Sequence, residues 1–531
     1  MRASRLRSAP RRPTLLFWGA LTALVVVCAY IIALGLAVAL ALLGIGILAS
    51  FSWTAVIVSV GALTCAAAIL WSIVPRRDKF SPPGPALEPS SHRRLFEEIS
   101  AVAAEFGEPM PASVYLMLEP NAWVAQRGGL MGIGSRRVMA LGLPLIAVLT
   151  VSEFRAVLAH EFGHYYGGDT GIGPWVQKAR EALARSLQSL ASDSGFLHVL
   201  SRWAYVAFLR LVVVFIFSTY WKLSLRLTLL VSRRWEYRAD ELACAVAGAH
   251  PLVSALEKIA ATALAWPSFW NSEAAPALRA GFHAPLAEGF TRFLVAPEIS
   301  RQVNTLLEKQ LSAQKPGPLA THPTFQQRKE RALSYAFAAP PHDDASALTL
   351  FGHFGPSEVA AVSCRFPEIP TDHLTEVGWD GLGDSLYIPS WTRFTGENRA
   401  ALSTLRVADI PQALAGVSGI GAQIRDPKGM LLTREQRADR GVSLLWMSFA
   451  LVLLRDGWKL QAQPGTACLS KEGRKFDPAQ TVLSLKRGHI SESTFRDLVR
   501  ELGVAEVSLA PPADSEVVDG VIRRADTTSA V

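Results

Sequence analysis

The chain has 531 residues, half of them hydrophobic, and its 53 basic against 45 acidic side chains leave a formal net charge of +8. Its five cysteines, Cys28, Cys65, Cys244, Cys364 and Cys468, show neither paired nor metal-ligand spacing, which excludes a disulfide framework. Part of the positive charge is arginine flanking an apolar N-terminal stretch, and no DNA- or RNA-binding motif accompanies it. It reads as membrane topology and attraction to anionic headgroups, with the lipid bilayer and not nucleic acid as partner.

From Thr14 to Val74 there is no charged residue, a run far beyond the roughly 20 apolar residues that span a bilayer. It predicts two transmembrane helices, near Thr14 to Leu40 and Trp53 to Val74, turning through Gly44, Gly46, Ser50 and Ser52. A cleaved signal peptide does not fit, because the run is too long and a second span follows at once. Arg2, Arg5, Arg7, Arg11 and Arg12 precede the hairpin and Arg76, Arg77 and Lys79 follow it, so the positive-inside rule keeps both flanks cytoplasmic. Residues 1–78 form this first region.

Pro75 to Ser91, with Pro82-Pro83-Gly84-Pro85, reads as a stiff linker, not a packed element. The amphipathic run Arg93 to Phe106 then opens a second domain, 79–338. Ser113 to Leu118, Asn121 to Arg127 and Arg137 to Gly142 predict a small sheet, with Gly128-Gly129 and Gly132 to Gly134 supplying turns.

Glu153 to Asp169 reads as one helix and contains His160-Glu161-Phe162-Gly163-His164. Positions four apart share a helix face, so His160 and His164 can present imidazoles to one metal ion with Glu161 beside them. Neutral imidazoles suit Zn²⁺, which lowers the pKa of water from about 15.7 toward about 7, and Glu161 is then the general base. The bland alternative is a surface helix with two ordinary histidines. A metzincin would carry its third histidine where Thr170 stands, which excludes that class.

In the helical stretch Ser232 to Ala243, Glu236 and Asp240 again lie one turn apart. Glu236 is the candidate third ligand, and Asp240 a carboxylate able to hold a ligand histidine in its tautomer; the alternative is a solvated face in an Arg-rich run. Thr321-His322-Pro323 reads equally as a turn before a helix start, and Asn121 as a strand-end turn residue or as part of a sheet edge that accepts an extended peptide.

Taken together, the His160 to His164 pentapeptide, the Arg-x-x-Glu-Tyr-x-Ala-Asp core within Ser232 to Asp240, Thr321-His322-Pro323 with Arg328, and Asn121-Ala122-Trp123 resemble the integral-membrane M48 zinc peptidases. That family includes the heat-shock protease HtpX and the CAAX prenyl protease. The resemblance implies a gluzincin-type endopeptidase, mainly α with a small sheet, acting on protein or peptide substrates at a bacterial inner membrane. It implies one Zn²⁺ per chain on His160, His164 and Glu236, Glu161 as base, His322 stabilising the oxyanion and Asn121 on the substrate strand. One clear hairpin is fewer membrane helices than the prenyl proteases have. A catalytically silent zinc-stabilised scaffold is the alternative outside the enzyme class.

If His164 and Glu236 meet at one metal, the apolar segment Trp203 to Val231 between them crosses an even number of times, re-enters or does not cross. Its length and its Arg210, Lys222 and Arg226 predict an interfacial or partly embedded helix, against a buried soluble helix. Ala338-Ala339-Pro340-Pro341 marks a second boundary. Residues 339–531 mix helical runs, Val442 to Leu454 and Ser493 to Leu502, with strands near Trp458 to Gln463 and Thr466 to Ser470, predicting an α+β accessory domain without a catalytic signature.

Overall fold

The structure, a computed structural model, describes residues 13–50, 52–74, 77–129, 133–166, 203–314, 323–337, 341–352, 354–424 and 432–512. The chain is mainly helical with small sheets, and among the described residues three helices are long and apolar enough to cross a membrane. The described residues divide into two compact units, Met1–Trp266 with Val303–Pro367, and Pro267–Gln302 with Glu368–Val531. The boundary expected at 338/339 lies outside the described residues.

In the first unit, α1 (Pro13–Leu48) and α2 (Trp53–Ile73) form the N-terminal hairpin. Proline suits the first helical position, where its missing N–H is not needed. α1 continues through Gly44 and Gly46, which were expected in the turn; the turn begins at residues 49–50. The reason is packing: a Cβ on Gly44 would lie 3.0 Å from Leu63 and 3.1 Å from the Ser59 carbonyl of α2. Here glycine permits close helix approach. α2 is capped by Ser52, whose hydroxyl accepts from Ala55 N–H at 3.1 Å.

The amphipathic run folds as α3 (Arg93–Phe106), burying Leu95, Ile99, Val102, Ala103 and Phe106. Strands β1 (Ser113–Met117), β2 (Ala122–Arg127) and β3 (Arg136–Gly142) form a sheet of order β1-β3-β2, parallel between β1 and β3 and antiparallel between β3 and β2. β2 is therefore an edge strand. The proline-rich linker is packed, not free: Leu116 N–H donates to the Pro85 carbonyl at 3.0 Å and Leu87 N–H to the Val114 carbonyl at 2.8 Å. Proline lacks an N–H but its carbonyl still accepts, so a short pairing with β1 survives.

α4 (Val151–His164) carries the two histidines, and α5 (Ala204–Ala247) carries Glu236 and Asp240. At 44 residues, α5 is about 66 Å long at 1.5 Å per residue. Residues 203–231, expected as an interfacial or partly embedded helix, lead without a break into the turns that carry Glu236 and Asp240. Val213 and Phe217 of α5 pack with Ala29, Ala33 and Ala37 of α1 and with Cys65, Ala66 and Ile69 of α2, and the Tyr220 hydroxyl donates to the Val25 carbonyl. The opposite stripe, Tyr205, Phe208, Leu211 and Phe215, is exposed, as a lipid-facing surface should be.

The second unit has a core around Phe449, Leu453, Trp458 and Phe495. It is built by α6 (Arg434–Arg455), the antiparallel meander β4 (Lys459–Gln463), β5 (Thr466–Lys471) and β6 (Arg474–Phe476), and α7 (Glu492–Glu501). Residues 267–302 join this unit through specific contacts. Glu273 accepts from the Tyr387 hydroxyl at 3.0 Å and from Gly465 N–H at 3.2 Å. Buried Trp379 donates to the Pro285 carbonyl at 2.7 Å, and its ring fills the space where a Cβ of Gly289 would stand, 2.2 Å away. Gly289→Ala should therefore displace the indole and destabilise this unit by about 1–3 kcal/mol, the usual cost of overpacking. Thermal unfolding of the full chain reads this as a lowered transition; an unchanged transition would contradict the packing.

Candidate metal centre

α4 starts at a defined point because its first turn is doubly capped. Thr150 Oγ1 accepts from Glu153 N–H at 3.3 Å, and Glu153 Oε2 accepts from Thr150 N–H at 2.8 Å. The Glu153 carboxylate is buried, yet it also accepts from Ser254 Oγ at 2.6 Å and Lys258 Nζ at 2.7 Å. Burial pushes its pKa up, but the Lys258, Ser254 and Thr150 hydrogen bonds outweigh this and hold it below the usual carboxylate range.

The helix then crosses α5 closely. A Cβ on Gly163 would lie 3.1 Å from Ala239 Cα and 3.4 Å from Ala239 Cβ. Two of the smallest residues meet where the backbones approach, and the neighbours of each face one another across the contact. Gly163 lies between Glu161 and His164, and Ala239 between Glu236 and Asp240.

His160 Nε2 and His164 Nε2 are 3.2 Å apart. Glu236 Oε2 lies 3.6 Å from the first and Glu236 Oε1 3.8 Å from the second. Ligands at about 2.0–2.1 Å from a tetrahedral ion stand about 3.3 Å from one another. Three ligand atoms can therefore converge on one metal ion with little movement. Asp240 Oδ1 lies 3.1 Å from His160 Nδ1, the nitrogen facing away from His164. Arg328, in the helix Phe325–Leu333, clamps that carboxylate with Nε at 2.9 Å from Oδ2 and Nη2 at 2.6 Å from Oδ1. Its Nη1 is 3.9 Å from Glu236.

The electrostatics follow from burial and these neighbours. Burial, then the adjacent His160, push His164 down to about 4, which keeps it neutral and ready to ligate. Burial alone would lower His160 too, but its contact with Asp240 prevails and raises it. Burial pushes the Glu161 carboxyl up to about 7; His160 opposes this, Glu236 adds to it, and Val124 N–H, donating to Glu161 Oε2 at 3.3 Å, opposes it again.

The structure thus brings His160, Glu161, His164, Glu236 and Asp240 together. Asn121 stands just before β2, its Oδ1 accepting from Ala122 N–H at 2.9 Å. His322 and Thr170 lie outside the described residues. The clamp on Asp240 had no role in the sequence reading, where Arg328 is only part of a resemblance. The legible signal is the helix start beside it: Thr324 accepts from Gln327 N–H at 3.3 Å and Gln327 accepts from Thr324 N–H at 3.2 Å, a Thr-x-x-Gln capping box.

Two histidines and a glutamate converging from crossed helices, with a further carboxylate alongside, are the side-chain set of a metallopeptidase. Residues 89–336, just under half of the chain, match the family model of Peptidase family M48, which supports an M48 family metallopeptidase there. Among its relatives is Protease HtpX of Idiomarina loihiensis, 26% identical over 174 residues, covering 32% of this chain and 58% of that protein. Protease HtpX of Shewanella putrefaciens is 28% identical over 182 residues, covering 32% of this chain and 59% of that protein. The chain thus spans less than two thirds of the length of these relatives. With three long apolar helices among its described residues it is a membrane-integral protein.

Because the site depends on the Gly163–Ala239 approach, Gly163→Val should force α4 and α5 apart. Metal affinity should fall about 10- to 100-fold, the range seen when supports of a metal ligand are lost. Equilibrium competition with a chelator measures it, and wild-type affinity in Gly163→Val would refute the close crossing.

Proposed function

We propose that the protein is a membrane-anchored zinc endopeptidase whose catalytic face is cytoplasmic, cutting protein or peptide substrates in protein quality control or membrane-protein processing. The observation that carries this reading is the convergence of His160 Nε2, His164 Nε2 and a Glu236 oxygen, with Glu161 next in sequence to the first ligand. Two imidazoles and one carboxylate are a borderline N/O set suited to zinc and leave a fourth position open. Zinc held there would polarise the scissile carbonyl and lower the pKa of water.

The remaining work belongs to the chain. Glu161, with its carboxyl raised to about 7, can accept a proton from water near neutral pH and return it to the leaving amine. Asp240 fixes the His160 ring through Nδ1, and Arg328 fixes Asp240. Among the described residues β2 is an edge strand of its sheet, and it touches Glu161 through Val124 N–H, so an extended substrate adding to that edge would pass the base. Asn121, at the entrance to β2, is assigned to substrate binding and His322 to stabilising the oxyanion. The arginines on both sides of the hairpin support the cytoplasmic orientation.

The test is casein hydrolysis by the purified full chain with zinc, compared with Glu161→Gln. The variant should keep its zinc and lose about 10²–10⁴-fold in turnover, the contribution of a positioned general base. Equal activity in both would sink the mechanism. No hydrolysis by folded, zinc-loaded wild type would favour a scaffold.

A further inference from the structure

The edge strand β2 is tied to the chain that leaves the membrane hairpin. Asp78 follows the last residue of α2, Ile73, by five positions. Its carboxylate accepts from Arg127 Nε at 2.9 Å, from Arg127 Nη2 at 3.2 Å and from Gly128 N–H at 2.8 Å. Its own N–H donates to the Gly129 carbonyl at 2.9 Å. The Asp78 side chain is only 14% exposed, and the Arg127 guanidinium also lies over the Phe80 ring, 5.2 Å from its centroid. A forked pair with a backbone donor on the same carboxylate fixes angle as well as position. It is unlike an isolated surface ion pair, which fixes neither.

Arg127 ends β2, three positions beyond Val124, so the clamp sits about 10 Å along the strand from Glu161. A second connection reaches the same site. A Cβ on Gly61 of α2 would lie 2.8 Å from Val206 of α5, and Ile69 packs in one cluster with Val213 and Phe217, so the two helices run side by side in one direction. Ile73 is then level with about residue 218 of α5, and Glu236 lies about 27 Å further along the axis. The covalent route agrees in scale. Five residues of chain reach at most about 18 Å, and the strand adds about 10 Å.

Resting on the peptidase reading above, we propose that Asp78 and Arg127 are a positioning pair which, together with α5, holds the peptide-accepting edge at a fixed height over the membrane end of α2. A chain anchored in the same bilayer is then cut about eight extended residues from where it leaves the membrane. The pair touches no reacting atom; it sets distance.

The experiment uses the full chain in liposomes with single-span reporters whose cleavable segment lies about four, eight or sixteen residues from the span. A soluble peptide of the same cleavable sequence serves as control. Wild type should favour the middle reporter by at least about tenfold in kcat/KM. Asp78→Ala should reduce that preference to about twofold while kcat on the soluble peptide stays within about threefold, and Asp78→Glu should restore most of the preference. Asp78→Asn, which keeps an acceptor for Gly128 N–H, makes the same test if the alanine variant does not fold. Equal cleavage of all three reporters by wild type, or an unchanged preference in Asp78→Ala or Asp78→Asn, overturns the proposal. Failure of wild type on every reporter and on the soluble peptide would instead overturn the peptidase reading.

Discussion

The site depends on the close approach of two helices at Gly163 and Ala239. Side chains of ordinary size at either position would move the backbones apart by more than the tolerance of a metal site, which is a few tenths of an ångström. Because the approach is made by small residues, the ligand nitrogens and the Glu236 oxygens are delivered from rigid backbone on both sides. The chain supports each helix further. The buried Glu153 network fixes where α4 begins, and the Asp240 and Arg328 pair holds the α5 side. Removing one partner from so buried a pair would leave an uncompensated charge, which is more damaging than losing a surface contact.

The same helix α5 belongs to the membrane bundle. Its first half packs against α1 and α2, and its last turns carry Glu236 and Asp240. No loop intervenes, so the position of one ligand is set by helix geometry measured from within the apolar bundle. This also accounts for Lys222 and Arg226, two of the three charges that interrupt the segment; the third, Arg210, lies on the half of α5 that packs with α1 and α2. Lys222, Arg226, Arg233 and Arg234 lie on the stretch of α5 beyond the level of the end of α2, where charge carries less cost than at a bilayer centre.

Much of this was legible in the sequence, for identifiable reasons. The histidine pair announces itself because helical period and motif spacing coincide. Arg93 to Phe106 is visible because its apolar face repeats at helical spacing, and the second and third strands because a glycine-rich stretch separates them. What escaped depends on contacts between distant positions. Gly44 looks like a turn residue until Leu63 is seen against it. The Pro82 to Leu87 stretch looks like a free linker until β1 supplies its partners. Likewise, no local signal says that residues 267–302 pack with Trp379, Tyr387 and Gly465. Pattern reads local period well; it does not read which small residue faces which neighbour.

The central claim is that two crossing helices hold one zinc ion with two imidazoles and a carboxylate. X-ray absorption at the zinc edge of the purified full chain tests it most directly. The account predicts one zinc per chain with a shell of nitrogen and oxygen atoms at about 2.0–2.1 Å and imidazole outer-shell scattering. Its imidazole signal should fall in His160→Ala and in His164→Ala. A sulfur shell near about 2.3 Å, or a zinc spectrum indifferent to both substitutions, would contradict it.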